Sequence, residues 1–486
     1  MRVMLRRVSG FAAALTLALM SASARAEDPH ELPDEEGLRI GDWTFQPSVA
    51  LRTRAEYRRS PVDLGGSVFA SNAVQADGFG SSAPAVTASL PSVRDAFALS
   101  ERARLGVGVR NGRVGAQLTL QDARVLGWLP GSSAALTPSG SAAVQPYEAY
   151  LDLRSDAERP GIEARIGRQA VSWGEGRLLG SRDWSQAAAS FDAVRVQAHF
   201  GEGLADLEAF AALLAPPGSV PPPLGVNGSQ SVGAGAQLFG VRNAWHLAAL
   251  VNVEASLLAR IARDPLPMEL TGGDTFTADL RAYGDYRGVS YSAEGAYQLG
   301  RVAGYGLNRS LGAFAGAARL DWQTALPLDV RFGLSGAYAS GDASGGNGSR
   351  LQRFDPILPD VHRHHGMMDL VAWSNLLDGA ASVGVRPLQR FDAQVRYAFL
   401  GLAQPGDRWT SSGMLPVGVA PDNTSRVLGH ELDARIAFEA TESVSFDAGY
   451  GLMVTGAGAR NILGAAGRST PDLLQFGYLQ ASLRTR

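Results

Sequence analysis

Runs of about eight to eleven residues, in which apolar and polar side chains alternate one for one, recur along most of this chain. In Val49–Arg58 one face carries Val49, Leu51, Thr53, Ala55 and Tyr57, and the other Ala50, Arg52, Arg54, Glu56 and Arg58. A period of two puts successive side chains on opposite sides of a strand, so each strand separates two environments. Glu101–Arg110 repeats the pattern, with Leu105, Val107 and Val109 opposite Arg102, Arg104 and Arg110. Asn111-Gly112 then predicts a two-residue hairpin turn, since both central positions of such turns favour positive φ.

Further runs fall at 113–121, 147–154, 163–169, 191–200, 275–284, 289–298, 317–323, 330–338, 381–386, 391–399, 431–439 and 444–450. Residues 205–214, 232–240, 245–254 and 476–483 alternate more weakly. Short turns are expected near Asn111-Gly112 and near 155–161, 201–204, 241–244, 285–287, 324–328, 387–390 and 441–443. Between them lie long Gly-, Ser-, Pro- and Ala-rich segments near 59–98, 125–146, 170–190, 215–231, 255–274, 299–313, 341–379, 400–429 and 452–474. Eight turns and nine loops join 18 strands. The expected fold is therefore all-β: a transmembrane antiparallel barrel with short periplasmic turns and long extracellular loops. The remaining reading is a large secreted all-β protein, which has no reason to alternate its connections.

The chain holds 486 residues with no cysteine, and its basic residues are all arginine. Absence of cysteine excludes disulfides and thiolate metal sites and suits export. Met1–Ala26 reads as a signal peptide: Arg2, Arg6 and Arg7 precede an apolar run, and Ala24-Arg25-Ala26 offers a cleavage site. Residues 27–41 read as a periplasmic lead-in and 42–486 as the barrel. Net charge is −3, and −7 without the first 26 residues, which argues against a nucleic-acid partner. The expected surroundings are outer-membrane lipid and lipopolysaccharide.

An arginine facing lipid at mid-depth costs roughly 2–4 kcal/mol. The apolar faces therefore point outward, and the charged faces inward. Tyr57, Phe200, Trp322, Tyr338, Phe399 and Tyr450 sit near strand ends and suit interfacial girdles. The expected lumen includes Arg52, Arg54, Glu56, Arg102, Arg104, Arg165, Arg195, Arg396, Glu431, Asp433 and Arg435. Such charges either pair across strands or draw a charged solute, with arginines favouring anions.

Three segments resemble the alginate export porin family: IGRQAVSWGEGRLLGSRDW…FDAVRV at 166–196, FDPILPDVHRHHGMMDLVAWSNL at 354–376 and LGHELDARIAFEATESVSFDAGYG at 428–451. Weaker likeness runs from about Asp42 onward. The resemblance implies an 18-stranded barrel whose electropositive lumen passes an anionic polysaccharide, aided by periplasmic export components. It also implies constriction charges at Arg168, Glu175, Arg177, Arg182, Asp183, Arg353, Asp355, His362, Glu431 and Asp433. Alternation alone gives Arg168 the parity of outward Ile166, so a bulge near Gly167 would be needed to turn it inward.

Other chemistry has weaker support. His362, His364 and His365 cluster without a second ligand group fixed nearby, so no metal or cofactor is expected. No G-x-S-x-G, H-E-x-x-H or P-loop occurs. Glu175 and Asp183 could pass for a glycosidase pair, but Arg177 and Arg182 beside them suggest ion pairing. Three functions follow: a channel for an anionic polymer, a porin for sugars or organic acids, and, least supported, an outer-membrane enzyme.

Overall fold

The computed structural model describes residues 37–60, 95–128, 144–156, 161–186, 188–201, 203–214, 236–262, 273–304, 307–344, 348–412, 414 and 416–485. The expected export signal and most of the lead-in lie outside them. Eighteen antiparallel strands close into a barrel. They are β1 (Trp43–Arg59), β2 (Asp95–Asn111), β3 (Val114–Trp128), β4 (Gln145–Arg154), β5 (Ile162–Gln169) and β6 (Phe191–Phe200). Next come β7 (Ala205–Leu213), β8 (Gln237–Ala248), β9 (Val251–Ala262), β10 (Gly273–Tyr286), β11 (Val289–Gly304) and β12 (Leu307–Gln323). The last are β13 (Arg331–Ala339), β14 (Leu376–Leu388), β15 (Phe391–Leu402), β16 (Val427–Glu439), β17 (Val444–Thr455) and β18 (Leu473–Arg484). Each strand pairs with its neighbours in sequence, and β1 closes on β18 from Ala50↔Arg484 to Arg59↔Gln475. Closure leaves no open edge, which a membrane interior would not tolerate.

The two faces divide as alternation requires. Arg52, Arg54, Glu56 and Arg58 are buried inside β1, while Leu51 and Tyr57 face out. Leu105, Leu257, Leu334 and Leu479 are 59%, 63%, 59% and 68% exposed. A band of this kind around the barrel would be a liability in water and is the normal contact surface in lipid. Aromatic side chains rim it: Phe314 stacks on Tyr338 and Trp322 lies beside Phe332.

Three local expectations are corrected. The first hairpin loop is Gly112-Arg113, one residue later than read, with Gly112 at φ 54° supplying the left-handed position. The turn expected over 241–244 is instead strand. β8 runs on to Ala248 and reverses over Ala249-Leu250, because Leu238, Gly240, Arg242, Ala244 and His246 continue the inward face without a break. Residues 299–313 are not a long loop either. The β11–β12 ladder runs unbroken to Gly304↔Leu307, so a glycine-rich composition there marks small strand residues rather than a connection. Part of the lead-in is also structured, since Leu38–Ile40 folds back on β1.

The inside is far from empty. The described residues of the connections 170–190 and 340–375 fold inward and carry much of the apolar core, including Trp173, Leu179, Phe354, Leu358, Met368 and Trp373. Over the long-loop end lie a two-strand ribbon, Trp409–Thr410 with Pro416–Gly418, and a short helix, Ala457–Ala465.

Candidate functional site

The 170–190 loop enters the barrel through tight reversals, with Gly174 at φ 56° and Gly176 at 75°. Trp173 anchors its first half: its indole N–H donates to Glu208 at 2.7 Å, and its ring meets Phe210 edge-on at 5.0 Å. The loop then runs alongside 356–360. The Gly180 amide donates to the Leu358 carbonyl at 2.8 Å, the Leu358 amide to Leu178 at 2.9 Å and the Asp360 amide to Gly176 at 2.8 Å. A Cβ at Gly180 would sit 2.6 Å from that of Asp360, so only glycine permits this approach. The two loops thus form one body joined by backbone hydrogen bonds.

Its polar contacts with the wall fall into three groups. In the first, the Asp183 carboxylate lies 2.9 Å from Arg102 and 3.0 Å from Arg104. Arg52 and Arg102 also donate to the Asp183 carbonyl, at 2.6 and 3.0 Å. Burial alone would raise the Asp183 pKa, but Arg102, Arg104 and Arg52 reverse this and hold it well below the usual carboxylate range. Next to it, Arg54 lies 3.9 Å over the Trp184 ring, forms an ion pair with Glu56 at 2.9 Å and donates to the Trp184 carbonyl at 3.0 Å.

The second group is a relay of alternating charges. It runs from Arg195 to Glu208 at 2.6 Å, Arg242 at 3.7 Å and Glu254, then Arg281 at 3.0 Å, Glu175 at 3.8 Å, Arg177 at 3.2 Å and Glu294 at 3.4 Å. It crosses β6 to β11 and draws the loop into the wall through Glu175 and Arg177. Burial pushes the Glu175 pKa up, but Arg177, the Ser292 hydroxyl and Arg281 outweigh this and leave it lowered.

The third group explains the HRHHGMMD run. The Met367 and Met368 amides donate to Asp433 and Glu431, each at 3.2 Å. Gly366, at φ 105°, brings them in; a Cβ there would lie 2.3 Å from the Glu431 carboxylate. His365 contacts Asp378 at 2.9 Å, and His364 meets the Glu175 carbonyl at 2.8 Å. Burial, with Arg177 and His365 nearby, holds His364 well below the usual imidazole range, so it stays neutral. His362 stacks on Trp184 and contacts Asp369 at 3.0 Å. Arg396 donates to the His364 carbonyl at 3.3 Å and lies 3.6 Å from Asp433. Among the described residues, no group of three or more His, Asp or Glu is arranged to hold a metal ion.

The structure therefore brings Arg52, Arg54, Glu56, Arg102, Arg104, Glu175, Arg177, Asp183, His362, Arg396, Glu431 and Asp433 onto the contact between loops and wall. Arg165 lies on the same inner face, paired with Asp152 at 3.0 Å. Arg182 sits at φ 53° facing the charges of Asp360 and Asp369. Arg435 pairs with Asp447 toward the short-turn end. Two expectations are corrected. Arg168 faces outward, 3.2 Å from Asp192, because the ladder passes Gly167 without a bulge. Arg353 is buried in loop packing, paired with Asp407. Asp355 is buried against the wall, where its backbone exchanges hydrogen bonds with Gln298 of β11. Sequence reasoning missed Arg242, which the misplaced turn hid, Glu254, at the end of the weakly alternating 245–254 run, and Arg484, 4.0 Å from Asp183.

Residues 81–471 match the family described as Alginate export. The chain belongs to the alginate export family. No curated protein matches it in sequence. Among solved structures, Acinetobacter baumannii OccAB1 is similar at a TM-score of 0.56 and 9% identity, over 94% of this chain and 100% of that one. Pseudomonas aeruginosa OccK9 (OpdG) and OpdQ each give a TM-score of 0.51 at 11% identity, over 91% of this chain and 98% and 97% of theirs. At such identities the likeness speaks for the fold. With the family match, it makes this chain an outer-membrane β-barrel channel.

Proposed function

We propose that this channel passes an anionic polysaccharide such as alginate, outward, through an arginine-rich inner face. The observation that carries the reading is the cluster of Arg52, Arg102 and Arg104, which converge on the single residue Asp183, Arg102 and Arg104 on its carboxylate and Arg52 on its carbonyl. An inner surface with such a local excess of positive charge attracts carboxylates, and acids interspersed along the path keep each contact weak enough for release. The family's description supports the solute class and the direction. On this reading the protein supplies a path and carries out no chemistry, while periplasmic partners deliver the polymer.

A second reading is a porin for sugars or organic acids. The joined 170–190 and 340–375 loops favour it, because they fill part of the inside. Planar-bilayer recordings separate the two. The polymer reading expects anion selectivity and block by oligomannuronate from the periplasmic side; conductance indifferent to oligomannuronate would favour the small-solute porin.

A further inference from the structure

Arg52 and Arg102 are directly cross-strand on the inner face, and Arg104 lies next along the same face. Like charges so placed repel. All three are more than nine-tenths buried. Arg104 is held from two sides, stacked 3.7 Å over Tyr147 and donating to Gln121 at 2.8 Å. These guanidinium groups are thus fixed in place rather than trailing in solvent.

What fills the space between them comes from the loop. The Asp183 carboxylate takes Arg102 and Arg104, and the Asp183 and Ser185 carbonyls take Arg52. The arginines are not saturated. Arg52 Nε and Arg104 Nη2 are buried and find no hydrogen-bond partner among the described residues. Arg484 adds a further cation 4.0 Å from the same carboxylate, and its side chain is 64% exposed. Asp183 itself keeps 31% of its side chain exposed, so the cluster is open on one side.

We propose that Arg52, Arg102, Arg104 and Arg484 form a carboxylate-binding station on the wall, and that Asp183 is its tethered occupant, displaced in turn by carboxylates of the passing solute. The proposal rests on the anionic-solute reading and adds the site and the competitor to it. The loop's own side chain defines the ligand class: a carboxylate, met by paired guanidinium donors. Exchange of one carboxylate for another leaves the buried arginines paired at every stage, avoiding the large penalty of an uncompensated buried charge.

The test uses the full chain in planar bilayers with oligomannuronate as blocker and a neutral malto-oligosaccharide as control. Asp183→Asn removes the competing charge and keeps the side-chain shape. Block should tighten by roughly tenfold, the effect of one charge-assisted hydrogen-bonded group. Adding Arg104→Gln should abolish the gain. The unaltered chain gives a second reading that needs no variant: amide hydrogen exchange at 181–186 should rise with oligomannuronate and not with the neutral sugar. Unchanged block in Asp183→Asn, or unchanged or increased protection at 181–186, in a channel that is still anion-selective, overturns the station alone. Cation selectivity of the unaltered chain overturns the functional reading beneath it.

Discussion

The indole of Trp184 lies flat against the imidazole of His362, with ring centroids 3.6 Å apart and planes 3° from parallel. One ring belongs to the 170–190 loop and the other to the 340–375 loop. The same indole is covered by Arg54, meets Tyr478 edge-on at 5.0 Å and donates to Asp369 at 3.1 Å. Trp184 therefore ties both loops to β1 and β18.

Trp184→Ala should loosen the pair of loops. It removes an aromatic contact worth about 0.5–1.5 kcal/mol and a cation–π contact worth about 0.5–2 kcal/mol. The expected result is larger, noisier single-channel current with the barrel still folded, read by bilayer recording and heat-modifiable mobility on gels. Unaltered current would mean that Trp184 holds nothing in place.

Gly366→Ala should act on the other anchor. The residue adopts φ 105°, and a Cβ would strike the Glu431 carboxylate. Backbone strain of this kind costs roughly 1–3 kcal/mol, enough to weaken the Met367 and Met368 contacts. Limited proteolysis should cut within 361–369 faster than in the parent protein. Equal cleavage rates would contradict the anchoring role.

Asp183 gives a pH dependence with a definite sign. Its carboxyl is depressed in the folded chain relative to about 3.9 in an unfolded one. The stabilisation it lends to the docked loop is therefore fully present above that unfolded value and is lost as pH falls through the folded one. Protection of the 181–186 amides, taken relative to intrinsic exchange at each pH, should stay flat from neutral pH down to about the unfolded carboxylate pKa, then fall in stronger acid. Loss of protection already near pH 6 would contradict the ion-pair account.

Arg168 and Arg102 should part ways. Arg168→Ala removes an outward pair with Asp192 and should leave ion selectivity unchanged, whereas Arg102→Gln removes an inner-face cation and should lower anion preference. Reversal potentials in a salt gradient distinguish the two variants. A selectivity change in Arg168→Ala would return that residue to the lumen.

The barrel was readable because alternation at positions such as Leu51/Arg52 and Val107/Gly108 reports a membrane on one side only. Strand ends were less readable. Residues 241–244 read as a turn, yet the inward run from Leu238 to His246 passes straight through them, and this concealed Arg242. Composition misled at 299–313, where glycine and alanine serve a tightly paired ladder. The inner site was legible as a set of charges but not as a set of contacts. That Trp184 would meet His362, or Asp183 reach Arg102, depends on loops far apart in sequence folding to the same depth. Arg353 shows the converse: a charge beside a family-like segment that pairs with another loop instead.

The most direct test of an anion path is the zero-current potential of the unaltered channel across a potassium chloride gradient, repeated after adding oligomannuronate. The expected result is a potential of the sign set by chloride permeation, with current reduced by the oligomer. A potential of the sign set by potassium, with current indifferent to the oligomer, would contradict it.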